Sequence, residues 1–354
     1  MALPALDQAR EVRAEDSFDV AAVDSWLKQH VDDLEGAPTV KQFPGGASNL
    51  TFQLAYPGRD LVLRRPPAGH IPKSGHDMRR EFTVQSKLAP VFPYVPKMVA
   101  FCDDHSVMGV DFYVMDRIRG IILRSELPAG MTLDAAGARA LSTSFIERLV
   151  DLHSVDPAAA GLTDLGRGDG YVERQVKGWS KRYRAARTWN VPSFEKVMSW
   201  LDANRPPDVR SCIIHNDWRM DNVVLDPDDP QKIIGVLDWE MATIGDPLME
   251  LGSAMAYWIE AGDDRIGQMF RRQPTHLPGM LTRREVVELY ARRSGLTIDD
   301  WRFYEVFGLF RLAGIIQQIY KRYHDNETTN PAFKRFWIAT RWLHRRSRRV
   351  IKQG

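Results

Sequence analysis

The chain changes texture about a third of the way along, and that change restricts its fold more than any other feature. Between 38 and 120 short strand-like runs recur: Val40–Phe43, Leu50–Tyr56, Asp60–Arg64, Lys97–Cys102 and Val110–Ile118. Pro44-Gly45-Gly46, Pro57-Gly58 and Pro66-Pro67 break them, and an Asp-Asp-His-Ser turn separates the last two. One helical run, Met78–Leu88, interrupts the series, with either Phe82, Gln85 and Leu88 or Val84 and Leu88 facing inward. Ahead of it lie a polar arm, 1–17, and an amphipathic stretch, Asp19–Val31, with Val20, Val23, Leu27 and Val31 at helical spacing.

From Leu133 onward the pattern is helical. Ala135–His153 places Leu141, Phe145, Leu149 and Leu152 on one face, and Tyr171–Arg187 and Ser193–Ala203 follow. Only Cys212–His215, Val223–Leu225 and Ile233–Leu237 return to short strands before a helical, aromatic-rich remainder. Within it, Phe307–Tyr323 has the texture of a buried helix. The sequence therefore predicts an α+β chain: an arm and helix over 1–37, a sheet unit over 38–120, and a large helical lobe over 121–354 with a strand insert. The boundary falls at Arg119-Gly120.

The length of 354 residues fits two such lobes. Lys+Arg 48 against Asp+Glu 46 leaves +2, which excludes a surface wholly given over to nucleic acid. Two cysteines exclude a disulfide framework and a cysteine-rich zinc site. No apolar run reaches a membrane span, and the N-terminus lacks the apolar segment of a signal peptide, so a cytoplasmic protein is expected. The tail from Phe333 carries many arginines and lysines and no acid. It is expected to pack one face on the lobe and to leave a basic face that could attract an anionic acceptor.

The chemistry is concentrated in Ile213-Ile214-His215-Asn216-Asp217-Trp218-Arg219-Met220-Asp221-Asn222 and in Val236-Leu237-Asp238-Trp239-Glu240. A carboxylate and an amide flanking a tight loop, with a second carboxylate after the next hairpin, suit a magnesium nucleotide. Magnesium prefers oxygen ligands and commonly takes one or two protein groups plus phosphate oxygens. Upstream, Phe43-Pro44-Gly45-Gly46-Ala47-Ser48-Asn49 joins two strands, where glycine lets a backbone approach phosphate and Ser48 and Asn49 can donate.

The pattern His-x-Asp-x-x-x-x-Asn followed by Leu-Asp-Trp-Glu resembles the aminoglycoside phosphotransferase and choline kinase superfamily. The phrases Gly-Gly-Ala-Ser-Asn-Leu-Thr, Val-Leu-Arg-Arg-Pro-Pro-Ala-Gly and Leu-Asp-Trp-Glu-Met-Ala-Thr-Ile-Gly-Asp-Pro-Leu resemble its subgroup associated with acyl-CoA dehydrogenases. The resemblance runs from about Phe43 to Leu251. It implies a bilobal protein-kinase-like fold, with a small antiparallel-sheet N-lobe and a larger, mainly helical C-lobe. It implies ATP and Mg²⁺ as cofactors, Asp217 as catalytic base and Asn222 and Asp238 as metal ligands, with His215 bracing the loop. Gly45, Gly46, Ser48 and Asn49 would cover phosphates. Arg64, paired with Glu81, would grip them in place of the usual lysine, and Arg65 would point the other way by strand alternation. Backbone groups at Met115, Asp116 and Arg117 would meet the adenine edge.

The implied acceptor is a small molecule, a hydroxyacyl-CoA, with a functional link to an acyl-CoA dehydrogenase and no nucleic-acid partner. Two alternatives stay open: an aminoglycoside or choline-like amino-alcohol kinase, and a nucleotide-binding pseudokinase. Glu250 departs from the subgroup, where aspartate is commoner, which puts a looser capping or bracing role there. Asp221 is expected to be structural, Asp246 to cap a helix or brace the loop, and Trp218 and Trp239 to pack the loop. His153 is read as structural, and Arg311 as a residue that could reach the acceptor cleft.

Overall fold

The structure is a computed structural model and describes residues 8–44, 49–67 and 77–353. The glycine loop residues Gly45, Gly46 and Ser48 lie outside the described residues.

Helix α1 (Val20–His30) begins at Asp19, whose carboxylate accepts the Ala22 N–H. Strands β1 (Thr39–Gln42), β2 (Leu50–Tyr56) and β3 (Arg59–Arg65) form an antiparallel meander. Pro57-Gly58 makes the tight turn, with Gly58 at φ +82° where a side chain would be strained. Helix α2 (Met78–Leu88) is capped by Asp77. Strand β4 (Met98–Cys102), the four-residue helix α3 (His105–Met108) and strand β5 (Phe112–Asp116) complete a five-stranded sheet of order β1-β2-β3-β5-β4. The expected Asp-Asp-His-Ser turn is thus the start of α3, because Asp104 caps it.

Alternation along β3 divides the sheet's two faces. Leu61 and Leu63 turn toward Phe52, Leu54, Phe112 and α1. Val62 joins Met78, Tyr113 and Met115 on the α2 side, and Arg64 shares that side with it. Arg65 takes the opposite face as alternation requires. Its Nη2 donates to the Asp16 carbonyl at 2.7 Å and its guanidinium lies over Phe52. On α2 the buried set is Met78, Glu81, Val84, Gln85 and Leu88, while Phe82 is half-buried.

The chain leaves the sheet along a narrow track. A Cβ on Gly120 would lie 2.3 Å from the Leu225 carbonyl, so glycine is required there. Ile121 and Leu225 then exchange backbone hydrogen bonds at 2.9 and 2.8 Å. Helices α4 (Ala135–His153), α5 (Tyr171–Ala186) and α6 (Glu195–Ala203) follow. Then come strands β6 (Cys212–Ile214), β7 (Val223–Leu225), β8 (Ile233–Val236) and β9 (Thr243–Gly245). β6 pairs with β9 and β7 with β8. Strand β9 was not expected from the sequence, since three residues cannot show alternation.

Helices α7 (Pro247–Met255), α8 (Arg265–Phe270), α9 (Arg283–Ser294), α10 (Arg302–His324) and α11 (Phe336–Lys352) complete the chain. α10 is the hub of this region and packs on α5, α6, α7 and α11. α11 buries Ala339, Trp342, Leu343 and Val350 and leaves Arg345, Arg348 and Arg349 exposed. Among the described residues no helix is long and apolar enough to cross a membrane.

α7 and α10 cross at backbone contact. A Cβ on Gly308 would sit 1.9 Å from the Gly252 carbonyl, and one on Gly252 would sit 2.3 Å from that of Tyr304. Gly308→Ala gains about 1 kcal/mol of helix propensity. Forcing the helices apart costs about 1–3 kcal/mol or more at so close a contact. The net expectation is a lower thermal midpoint of the helical region by circular dichroism, and an unchanged or raised midpoint contradicts the close packing.

Candidate active site

The loop between β6 and β7 carries His215 to Asn222 and is held from beneath. Glu250, in the first turn of α7 and 1% exposed, accepts the N–H groups of His215, at 2.9 Å, and Asn216. The Glu250 Oε2 also meets His153 Nε2 at 2.8 Å, and His153 Nδ1 meets the Tyr290 hydroxyl at 2.7 Å. The longer glutamate is therefore no looser here, because it reaches two backbone donors and an imidazole at once. Asp246 caps α7 and accepts the Val209 N–H at 2.7 Å, so it braces the approach to β6. Burial pushes its carboxyl up to about 6 against three backbone hydrogen bonds.

His215 is fully buried and ties the two functional loops together. Its Nε2 donates to the Leu237 carbonyl at 2.8 Å, so its Nδ1 is left as acceptor for the Asp217 N–H at 3.3 Å. Trp239 packs edge-on against it, and Trp218 donates from its indole to the Phe145 carbonyl. Both tryptophans are buried. Asn222 closes the loop: its Nδ2 donates to the Asp217 carbonyl at 2.9 Å and to Asp217 Oδ2 at 3.0 Å. Its backbone carbonyl accepts the Leu237 N–H at 2.8 Å, placing Asp238 opposite. Asn216 and Asp238 hold φ of +69° and +67°, left-handed conformations that non-glycine residues seldom adopt.

The sheet supplies the facing wall. Arg64 Nη1 meets Glu81 at 2.7 Å, and Nη2 meets Asp238 at 3.1 Å. Burial works against the Arg64 charge, but Glu81, Tyr113 and Asp238 hold its pKa well above the usual arginine value. Burial pushes the Glu81 carboxyl up, with Arg64 opposing. Asn49 Nδ2 donates to Glu240 at 3.2 Å and sits 3.5 Å from Glu81. Arg80, on α2, donates to the carbonyls of Glu240, at 3.1 Å, and Ala242, fastening the helix to the segment after Asp238.

Phe43, Val62, Arg64, Met115, Ile118, Asn222 and Asp238 line one cleft of about 190 Å³. Met115, Asp116 and Arg117 form its edge, but the Asp116 N–H is spent on Lys97 O at 2.9 Å and that of Arg117 on Asp60 O at 3.0 Å. Among the described residues the Ile118 N–H has no protein acceptor, which makes it the open donor on that edge. The side chains of Asp116 and Arg117 pair with Arg59 and Asp60.

On the far side of the loop, Arg219 bridges Asp217 at 3.3 Å and Asp221 at 3.1 Å and lies over the Tyr257 ring. Burial opposes its charge, but Asp217, Tyr257 and Asp221 hold its pKa far up. Gln273 accepts the Met220 N–H at 2.6 Å. Arg311 donates to the Asn216 carbonyl at 2.7 Å and is 5% exposed, so it supports the loop as well as bordering the expected acceptor side. Sequence reasoning passed over Gln273 and Arg219, and read His153 as structural without its partners. Their partners lie far along the chain or carry no motif, except that Arg219 sits inside the loop motif itself.

The cleft's open oxygens fit a magnesium nucleotide. Asn222 spends its Nδ2 on Asp217, leaving its Oδ1 as the amide oxygen, and the Asp238 side chain is 35% exposed. Among the described residues no three His, Cys, Asp or Glu side chains gather into a metal cluster. A hard cation here would therefore depend on phosphate oxygens to complete its shell.

Replacing Glu250 with glutamine keeps the shape but offers one acceptor oxygen where two serve three donors. A buried donor left unpaired costs about 1–3 kcal/mol. Glu250→Gln should lower the thermal midpoint and reduce any turnover that depends on Asp217. Full stability with full turnover would show that the loop is held by other means.

Comparison with known proteins supplies the family. The profile described as "Phosphotransferase enzyme family" matches residues 39–286. Acyl-CoA dehydrogenase family member 11 of Rattus norvegicus is 35% identical over 327 residues, covering 88% of this chain but 41% of that protein. The chain thus spans well under half the length of this curated relative. A solved structure of a protein assigned as an aminoglycoside phosphotransferase from Ralstonia eutropha is 32% identical, with a TM-score of 0.80. It covers 95% of this chain and 99% of its own. A choline kinase from Cryptosporidium parvum, 11% identical, shares the fold at a TM-score of 0.65 over 95% of this chain and 97% of its own. The profile spans more than half the chain, and the chain belongs to the phosphotransferase enzyme family.

Proposed function

We propose that the chain is an ATP- and Mg²⁺-dependent phosphotransferase whose acceptor is the hydroxyl of a small molecule, a hydroxyacyl-CoA. The observation that carries this reading is the meeting of two walls across one cleft. Arg64 with Glu81 comes from the sheet, and Asp217, Asn222 and Asp238 come from the two loops, with Arg64 and Asp238 3.1 Å apart. Phosphoryl transfer asks for positioned charge more than for covalent chemistry, and this is an array of positioned charge.

In this reading the Ile118 N–H and the Asp116–Arg117 edge hold the adenine. Asn49 and the glycine loop cover the phosphates, and Arg64 grips them, kept in place by Glu81. Asn222 and Asp238 would hold the metal, which when bound neutralises charge developing on the phosphates. Asp217 accepts the proton of the acceptor hydroxyl as its oxygen bonds to the γ-phosphorus. The bond from that phosphorus to the bridging oxygen breaks, and ADP departs. Arg219, beside Asp217, fixes the carboxylate's orientation.

The acceptor class is supported by the name of the curated relative, an acyl-CoA dehydrogenase family member, and by the arginines beside the loop. A functional link to a dehydrogenase follows from the same reading, since that relative is more than twice as long as the matched segment. Cationic aminoglycosides or choline would meet repulsion from Arg311. The pseudokinase alternative finds little support, because Arg64 keeps the pairing with Glu81 that a lysine would make.

The test is a mass-spectrometric transfer assay with ATP, Mg²⁺ and a panel of hydroxyacyl-CoAs, aminoglycosides and choline. Phosphate should appear on a hydroxyacyl-CoA, and Asp217→Ala should cut turnover by about 10²–10⁴-fold with an unchanged melting profile. Product on an aminoglycoside or choline instead would discard the acceptor class. Nucleotide binding without product on any acceptor would favour the pseudokinase. In the same assay Arg64→Ala should raise the KM for ATP, and an unchanged KM would remove Arg64 from phosphate binding.

A further inference from the structure

Beyond the nucleotide cleft, α5 and α10 place two arginines on the acceptor side of the loop, and among the described residues neither has a counter-ion. Arg311 is 5% exposed, and its one protein hydrogen bond among the described residues runs to a neutral carbonyl, that of Asn216, at 2.7 Å. Arg182 lies on the surface of α5 with its guanidinium carbon 4.0 Å from the centre of the Trp179 ring, and that of Arg311 is 5.5 Å from the same centre. Among the described residues neither arginine forms an ion pair with a carboxylate. A buried cation lacking an anionic partner is costly, and a second cation beside it adds repulsion.

A separate feature points the same way. Trp179 is 7% exposed, and among the described residues its buried indole N–H has no acceptor. Buried donors are almost always satisfied, so an unpaired one marks a place where a partner is missing. Trp179 is thus an unspent donor on the ring that both guanidinium groups approach.

The position suits an acceptor rather than a remote ligand. Tyr171, Gly178 and Arg182 fall on one face of α5. The Tyr171 hydroxyl donates to Asn216 Oδ1 at 3.3 Å, next in sequence to Asp217. At Gly178 an added Cβ would meet the Arg182 guanidinium at 3.4 Å, so Arg182 lies back along the helix toward that end. Burial and the nearby Arg311 both lower the Arg182 pKa, a sign that the two cations sense each other.

We propose that Arg182 and Arg311, with the Trp179 indole N–H, form a specificity subsite that holds a phosphate group of the acceptor while its hydroxyl faces Asp217. The proposal rests on the phosphotransferase reading, and beside Arg311 it assigns a part of the acceptor to Arg182 and Trp179, which that reading does not use. Arg182 is the accessible member and the one to vary, because Arg311 also supports the loop.

The experiment is calorimetric binding to the full chain with the nucleotide cleft saturated by AMP-PNP and Mg²⁺. The probe is butyryl-CoA, which has no hydroxyl to phosphorylate, with butyryl-pantetheine as the arm lacking phosphate. The wild-type chain should bind butyryl-CoA. Arg182→Glu should weaken it by on the order of tenfold or more, and Arg182→Lys by much less, since charge-assisted bonds to phosphate are strong. Affinity for butyryl-pantetheine and for AMP-PNP should be the same in all three proteins. No binding of butyryl-CoA, equal affinity in the wild type and Arg182→Glu, or an equal loss for butyryl-pantetheine would each overturn the subsite. Turnover is not read, so a failed transfer assay leaves this result standing, and a negative result here leaves the role of Asp217 intact.

Discussion

A single buried carboxylate, that of Glu250, sets where the functional loop lies. It gathers the N–H groups of His215 and Asn216 and the imidazole of His153, so the end of β6, the start of α7 and the end of α4 meet at one side chain. A carboxylate at 1% exposure persists only when its oxygens are fully used, and here they are. The strained Asn216 is pinned on both sides, by Glu250 below and by Arg311 at its carbonyl. From that anchor the order propagates. His215 reaches Leu237, Asn222 reaches both Asp217 and Leu237, and Asp238 is thereby placed against Arg64.

The sheet unit is coupled to this platform through apolar packing of Val84, Leu88, Phe92 and Val95 into the helical lobe's core, and through charge. Arg64 contacts Glu81 in the sheltered interior and Asp238 at the cleft, where the aspartate side chain is 35% exposed. The first contact is protected from solvent and fixes the guanidinium. The second faces the cleft, where under the proposed function phosphates and a cation would compete for both partners. Arg80 adds a link between α2 and the carbonyls following Asp238, so movement of that helix would be felt at Asp238. These links depend on ionised groups at specific distances, which is how a site made mainly of charge can be both ordered and responsive.

Much of this was legible in the residues, and the part that was not has a common cause. Met78–Leu88 and Ala135–His153 end where their apolar spacing and caps end, because those signals are local. The same holds for β2, bounded by Pro57-Gly58. Strand β9 escaped notice, being three residues long and defined by its pairing with β6 rather than by its own pattern. His153 looked partnerless because Glu250 and Tyr290 lie 97 and 137 residues away. Arg311 was expected at the acceptor cleft, and its hydrogen bond to Asn216 could not be inferred from an arginine in an apolar helix. The edge at Met115–Arg117 was located by motif, yet which N–H is open depended on cross-strand bonds to Lys97 and Asp60. Local chemistry was readable, and long-range hydrogen bonding was not.

The central claim is that Arg64, Asn222 and Asp238 converge on one magnesium nucleotide with Asp217 facing the acceptor. A crystal structure with AMP-PNP and Mg²⁺ tests it most directly. The account predicts a metal about 2.0–2.1 Å from an Asn222 and an Asp238 oxygen. It also predicts Arg64 on phosphate, the adenine edge at the Ile118 N–H, and Asp217 free of the metal. A nucleotide seated elsewhere, or a metal that engages neither Asn222 nor Asp238, would contradict the account.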